Sequence, residues 1–474
     1  MSESTSAIAD LPQPREDVFP PPALDLSADS SADSSPAALP DASDRASPRG
    51  RLAGTVSAIT AVVADPLASK GAVSVFDQAI VSGTSFATSV LIGRMCTKEE
   101  LGVYYLALSI VFLVRGIQEQ IICAPYMIYC NRRQGRRLAS YSGSAVAHQL
   151  ALSGLTLLGL LGMAGLIYLG LGPASLAPVV WVLLGAAPLM LMREFIRQFA
   201  FAHLRVGAAV AIDAVVAVLQ LGSLLLLGWL GALSIVTVYL AIGGACAVAC
   251  AGWFLAKRQP LRFVRSRFTV DWRHNWGFGK WALASHLVGC TSPYLMPWVL
   301  VTACGAAETG MLAACATLVG VSNMFLTGVA NYLTPKAANA FATGGVDELR
   351  RVIWKTAALL AVALGGFCLL MMVAGNLLAA IVYGDGYAGA GPIMAVLAFA
   401  VLANGIGIAA GNGLWAMERP SANFTADVCS LAVTLAAAVL LVGPMGVLGV
   451  AFAELAGFTG GTLVRCVTLF RLMK

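Results

Sequence analysis

Residues 102–130 read GVYYLALSIVFLVRGIQEQIICAPYMIYC. The run is apolar over more than the roughly 20 helical residues that cross a bilayer. Its two charges, Arg115 and Glu119, stand one helical turn apart. Similar apolar runs lie on either side of it, near 72–93, 141–169, 175–199, 206–228 and 233–256, and again near 280–303, 309–335, 352–374, 388–412, 423–442 and 446–469. Charges are confined to short bursts between them. Over the whole chain 58% of residues are hydrophobic and 11% charged, against about 25% charged in an ordinary soluble domain. A soluble multidomain enzyme is excluded, and an all-α polytopic membrane protein of about twelve transmembrane helices is expected.

The first 70 residues differ. They are rich in Ser, Asp, Ala and Pro and hold ten of the 24 acidic residues. Such a segment cannot bury enough apolar surface to offset its ordering entropy, so 1–70 is expected to be a disordered tail. No apolar core follows a basic start, which argues against a secretory signal. The apolar run 52–64 is too short to span and is read as an interfacial helix, with the end of the tail as the alternative. The eleven cysteines fall mostly inside spans without C-x-x-C spacing, as small apolar residues would.

Lysine and arginine set the expected orientation. With the tail in the cytoplasm, 27 of the 30 fall in cytoplasmic segments, Arg94 and Lys98 fall outside, and Arg115 lies within a span. The positive-inside rule then puts both termini in the cytoplasm. The net charge of +6 reads as attraction to anionic lipid, not to nucleic acid.

The chain also repeats itself. Glu100 and Gly102 recur as Glu308 and Gly310, Cys96 as Cys304, Pro125 as Pro335, Arg205 and Asp213 as Arg419 and Asp427, and Gly228 and Gly231 as Gly443 and Gly446. The matches keep their order. Six spans per repeat gives a parallel duplication: one lobe over 71–262 and another over 263–474, joined by the basic stretch 257–280. Substrate is then expected between the lobes near the midplane.

Several motifs resemble the bacterial polysaccharide and O-antigen flippases. Phe76-Asp77-Gln78, Ser82-Gly83-Thr84, Gly93-Arg94 and Glu99-Glu100-Leu101-Gly102-Val103-Tyr104 match the family's opening helix and first loop. Tyr383-Gly384-Asp385-Gly386-Tyr387 and the GPMGVLGVA run at 443–451 resemble its approaches to helices ten and twelve. The resemblance covers roughly 72–470 and points to the multidrug, oligosaccharidyl-lipid and polysaccharide exporter superfamily. It implies rocking of two lobes that carries an undecaprenyl-pyrophosphate-linked oligosaccharide to the outer leaflet of a bacterial inner membrane. The implied partners are that substrate, membrane lipids, and glycan polymerase or glycosyltransferases acting beside it. No cofactor is implied, and coupling would be to H+ or Na+.

Charges inside spans are costly and point to function. Arg115 lies roughly 20 Å along its helix from Gly102 at 1.5 Å per residue, and its planar fork suits pyrophosphate. Glu119 at i+4 is placed to pair with it, so the residue either binds substrate or fixes packing through that pair. Gln118 adds polarity beside them. His286 and Asn323 are the second lobe's substrate-binding candidates. Asp77 and Glu119 are the candidates for a coupling ion, with helix capping as the alternative for Asp77. Arg205, Asp213, Arg419 and Asp427 recur in both halves, which favours a shared structural task. Glu454 has no acidic counterpart in the first half, where Tyr239 stands.

The nearest rival is a cation-coupled multidrug exporter of the same superfamily, which an arginine in the cavity disfavours. A sugar-porter reading of the basic segment 131–137 fails because Met127 and Asn131 replace its glycine and aspartate. A membrane enzyme is disfavoured because the outer loops are too short to carry a catalytic set.

Overall fold

The computed structural model describes residues 66–256 and 261–474, which are helical apart from short turns. The tail over 1–65 and the interfacial helix at 52–64 lie outside the described residues. The first helix, α1 (Pro66–Met95), begins inside the stretch read as tail. After it come α2 (Lys98–Arg132), α3 (Gly135–Tyr168), α4 (Ala174–Ala202), α5 (Val206–Trp229), α6 (Ile235–Ala256) and α7 (Arg265–Cys304). Ala306–Gly320 opens α8, which continues past a turn at Val321 into the long helix Ser322–Tyr383. Gly345 (φ 63°) divides that helix into the end of α8 and α9. Next is α10 (Ala390–Ala416), and Gly446 (φ 55°) divides Pro420–Leu472 into α11 and α12.

Nine helices among the described residues are long and apolar enough to cross a membrane. Two of these contain the dividing glycines, and the 30-residue α1 is also long enough. Counted with the two glycine breaks and α1, the described residues hold twelve long helices, taken in chain order as a first lobe of six, α1–α6, and a second, α7–α12.

The repeat is visible in local geometry. Arg205 and Arg419 each stand at a helix start, after a non-glycine residue in the left-handed region: Leu204 (φ 55°) and Glu418 (φ 57°). The amide of Arg205 donates to the Ala200 carbonyl and that of Arg419 to the Leu414 carbonyl, both at 2.9 Å. Gly231 and Gly446 also share positive φ, 65° and 55°.

The recurring glutamate begins a helix. Thr97 caps α2 by accepting from the Glu100 amide (3.2 Å), while the Glu100 carboxylate accepts from the Thr97 amide (3.1 Å). Two residues on, Gly102 lets α2 cross α8 with backbone against backbone. A Cβ there would lie 2.0 Å from the Ala306 carbonyl oxygen, and one on Gly310 would lie 2.0 Å from that of Lys98. The repeat-related glycines therefore meet at the seam between lobes.

At the end of the bundle carrying these turns, α1 closes onto the second lobe. Arg94 donates to the carbonyls of Ile381 and Val382, the latter at 2.7 Å. These are last-turn carbonyls of α9, where a cation is favoured. Ser89 and Thr317 hydroxyls meet at 3.2 Å, and the Lys98 ammonium lies 5.4 Å from the Tyr387 ring centre.

The expected linker 257–280 is mostly helix, because α7 starts at Arg265; residues 257–260 lie outside the described residues. This first half of α7 packs on the opposite lobe. Tyr141 donates to Asn275 (2.8 Å), Arg133 pairs with Asp271 (3.6 Å), and the His148 ring nitrogen meets the Phe268 carbonyl (2.9 Å). Pro293 and Pro297 interrupt the main-chain bonding of α7 further along.

Candidate functional site

Two polar sites lie inside the bundle. The first lies in the lobe α1–α6 and centres on Arg197 of α4, whose side chain is 7% exposed. It reaches Asp77 of α1 at 2.7 Å, Asp213 of α5 at 2.7 Å and Glu194 at 3.3 Å. Arg193 bonds Asp213 and lies 3.4 Å from Glu194. Arg115 of α2 completes the group, 3.0 Å from Glu194. Three arginines thus interleave with three carboxylates drawn from four helices. Buried charges persist only when paired in this way.

Arg115 differs from the other two arginines. Its side chain is 36% exposed, and Glu194 is its only ion-pair partner among the described residues. It lines a pocket of about 100 Å³ with Tyr104, Glu194, Asp213 and Gln220. The expected pair with Glu119 is not formed. Glu194, 4% exposed, is largely shut off from solvent and needs counter-charges, whereas Glu119 is only half-buried. Glu119 opens a π-helical turn (Glu119–Cys123), marked by the Ala124 amide bonding to its carbonyl; Pro125 follows, without an amide donor for the regular ladder.

The other sequence candidates divide. Gln118 is buried and donates to the Leu191 carbonyl at 2.8 Å, tying α2 to α4. His286 of α7 packs on Gly116, where a Cβ would lie 2.1 Å from Nε2, and is not part of the lining of the Arg115 pocket. Asn323 belongs to the second site. Asp77 is fully buried in the arginine network. Arg205 and Arg419 are exposed at their turns and are not ion-paired to their repeat aspartates: Asp213 takes Arg193 and Arg197, and Asp427 takes Arg465.

The second site is a cavity of about 410 Å³ in the lobe α7–α12, whose lining includes Asn323, Asn404, Asp427, Glu454 and Arg465, with Tyr105 of α2 reaching it from the other lobe. Asp427 and Arg465 form an ion pair within its lining.

Sequence reasoning missed Arg193, Glu194, Arg197 and Arg465. The first, third and fourth were counted as loop charges, and Arg115 as the one basic residue within a span; all four arginines lie within helices. A usable signal was present, since Arg193 and Arg197 are one turn apart with Glu194 between them. At the mouth of this lobe His203, in the turn after α4, meets the Tyr126 hydroxyl at 2.9 Å. Burial, then the charge of Arg205, pushes its pKa down.

No protein-family model matches the chain, and comparison with curated proteins found no match. Solved structures do match. A multidrug resistance MATE family transporter of the MOP superfamily, inward-facing, superposes with a TM-score of 0.71 at 12% identity, covering 84% of this chain and 94% of the other. The lipid II flippase MurJ, in an inward closed conformation, gives 0.68 at 12% identity over 83% and 87%. An outward-facing MATE family transporter gives 0.58 at 12% identity over 84% and 93%. The chain therefore has the fold of MATE and MurJ.

Proposed function

We propose that this chain is a MOP-superfamily flippase that carries a lipid-linked, pyrophosphate-bearing oligosaccharide from the cytoplasmic to the outer leaflet of an inner membrane. The two lobes rock about the α2–α8 crossing, and both termini are cytoplasmic. The observation that carries the reading is Arg115. It alone of the three clustered arginines keeps over a third of its side chain open, facing a pocket, with Glu194 holding one edge of the guanidinium. The free edge suits a phosphate oxygen pair. The π-helical turn opened by Glu119 follows one turn along α2, and such turns cluster at functional sites.

The experiment is transbilayer movement of an undecaprenyl-pyrophosphate oligosaccharide in proteoliposomes. Arg115→Ala is expected to slow it about ten- to a hundredfold, the scale of a charged hydrogen bond worth ~1.5–3 kcal/mol. Arg115→Lys is expected to recover part, since a point charge replaces the fork. Unchanged movement in Arg115→Ala would remove the residue from the substrate path.

A second reading rests on a different observation. The larger cavity holds two carboxylates, Asp427 and Glu454, against one arginine, Arg465. That balance suits an organic cation, as in a cation-coupled multidrug exporter. Uptake of a fluorescent organic cation in the same vesicles, with no movement of the lipid-linked glycan, would favour it.

A further inference from the structure

We propose that Glu454 is the proton-binding carboxylate that couples this transporter to a proton gradient, with the 410 Å³ cavity of the second lobe as its access chamber. The proposal rests on the transport reading above and names its coupling ion.

Most other carboxylates within the bundle are paired. Asp77, Glu194 and Asp213 share three arginines. Asp427 holds Arg465, and Glu119, also without an ion pair among the described residues, does not line the cavity. Among the described residues no ion pair and no side-chain hydrogen bond reaches Glu454, which nevertheless lines the cavity. It lies eight residues past Gly446, the start of α12, hence roughly 12 Å along the helix at 1.5 Å per residue, and so within a hydrocarbon core of about 30 Å. A bare carboxylate there has no counter-charge, and a proton supplies one. Unpaired intramembrane carboxylates mark proton paths in pumps and transporters.

The groups around it favour a proton over a metal cation. Tyr105 of α2 is its electrostatic neighbour from the other lobe. Asp427 of α11 and Arg465 of α12 neutralise each other, so Asp427 is not free to help ligate a cation. From α7 the titratable groups are Tyr294, next to Tyr105, and Cys290, near Asp427. From α8 and α10 the cavity receives Asn323 and Asn404, which carry no charge. Because Tyr105 belongs to one lobe and Glu454 to the other, gain or loss of the proton changes the charge at the seam that rocking must open.

The test is dicyclohexylcarbodiimide labelling of the full chain in lipid vesicles, located by peptide mass spectrometry. This reagent takes protonated carboxyls in apolar surroundings. Labelling is expected at Glu454, falling as pH rises, indifferent to sodium, and absent in Glu454→Gln. No labelling at Glu454, labelling independent of pH, or protection by sodium would overturn the proposal, and needs no variant to fold. In parallel, Glu454→Gln is expected to keep gradient-independent substrate movement and lose its acceleration by an imposed pH gradient, with Glu454→Asp restoring part of it. Acceleration retained in Glu454→Gln would also overturn it. If the wild-type chain moves neither glycan lipid nor organic cation, the transport reading fails while the labelling result still decides protonation.

Discussion

Arg115 and Arg197 bond to the same carboxylate, yet their mutation should read differently. Arg197 is enclosed by Asp77, Glu194 and Asp213. Removing it leaves buried carboxylates without their cation, a loss of about 3–5 kcal/mol on the scale of broken buried pairs. Arg197→Ala is therefore expected to lower folded yield and thermal midpoint sharply in detergent, whatever the substrate. Arg115→Ala should leave the midpoint nearly unchanged, because its side chain is partly exposed and Arg193 and Arg197 still neutralise Glu194. Equal destabilisation by the two changes would contradict this division. The sequence reveals Arg115 readily, as a lone cation in a long apolar run. Its partner was not legible, because Glu119 is near in sequence whereas Glu194 comes from another helix. Burial chose between them, and burial is not written in spacing.

At the scale of the element, apolar length alone gave the passes, since bilayer thickness is a coarse ruler that needs no tertiary knowledge. Where polar residues continue a helix beyond the bilayer the ruler fails, so α7 extends back through the presumed linker and Arg193 and Arg197 were taken for loop charges. The turns before α5 and α11 offer a direct check. Leu204 and Glu418 hold left-handed backbone, at a cost of roughly 1–2 kcal/mol for a residue with a Cβ. Glu418→Gly is expected to raise the thermal midpoint slightly, offset by the added freedom of glycine in the unfolded chain; a clear loss would show that the Glu418 side chain holds the turn. The crossing of α2 and α8 behaves oppositely. Gly102→Val should abolish folded protein, while Gly83→Ala on α1, where a Cβ meets nothing within 4 Å, should be tolerated. Similar yields from both would mean the helices can separate at Gly102 without loss.

For the whole molecule, the repeat was legible at 100 and 308, where each glutamate falls in the first turn of a helix, although only Glu100 takes part in a capping box. The closed end was not, since Arg94 meets α9 at residues 381 and 382, far away in the chain. This contact joins the lobes and must break if that end opens. Ser89→Cys with Thr317→Cys, whose native hydroxyls lie 3.2 Å apart, should form a disulfide that stops transport and is released by reductant. The native Cys96 at the same end should not compete: burial, then the Glu100 charge, pushes its thiol up to about 11, leaving little thiolate at neutral pH. Full transport in the oxidised double variant would show that this end need not open.

The meeting of Gly102 with Gly310 also bears on ancestry. A residue that touches its own counterpart across an axis makes the isologous contact of a symmetric homodimer. Two copies of a single six-helix unit would cross at this same place, each glycine clearing room for the other's backbone. Once such a pair is fused into one chain, the two glycines stay bound to a common fate, because a side chain on either strikes main-chain atoms of the opposite half. The turns at 204 and 418 lie off the axis and do not touch each other, so they are free to diverge, as leucine and glutamate at equivalent positions have done. Symmetry of side chain is thus held by collision where Gly102 meets Gly310, while Leu204 and Glu418 share only their left-handed backbone.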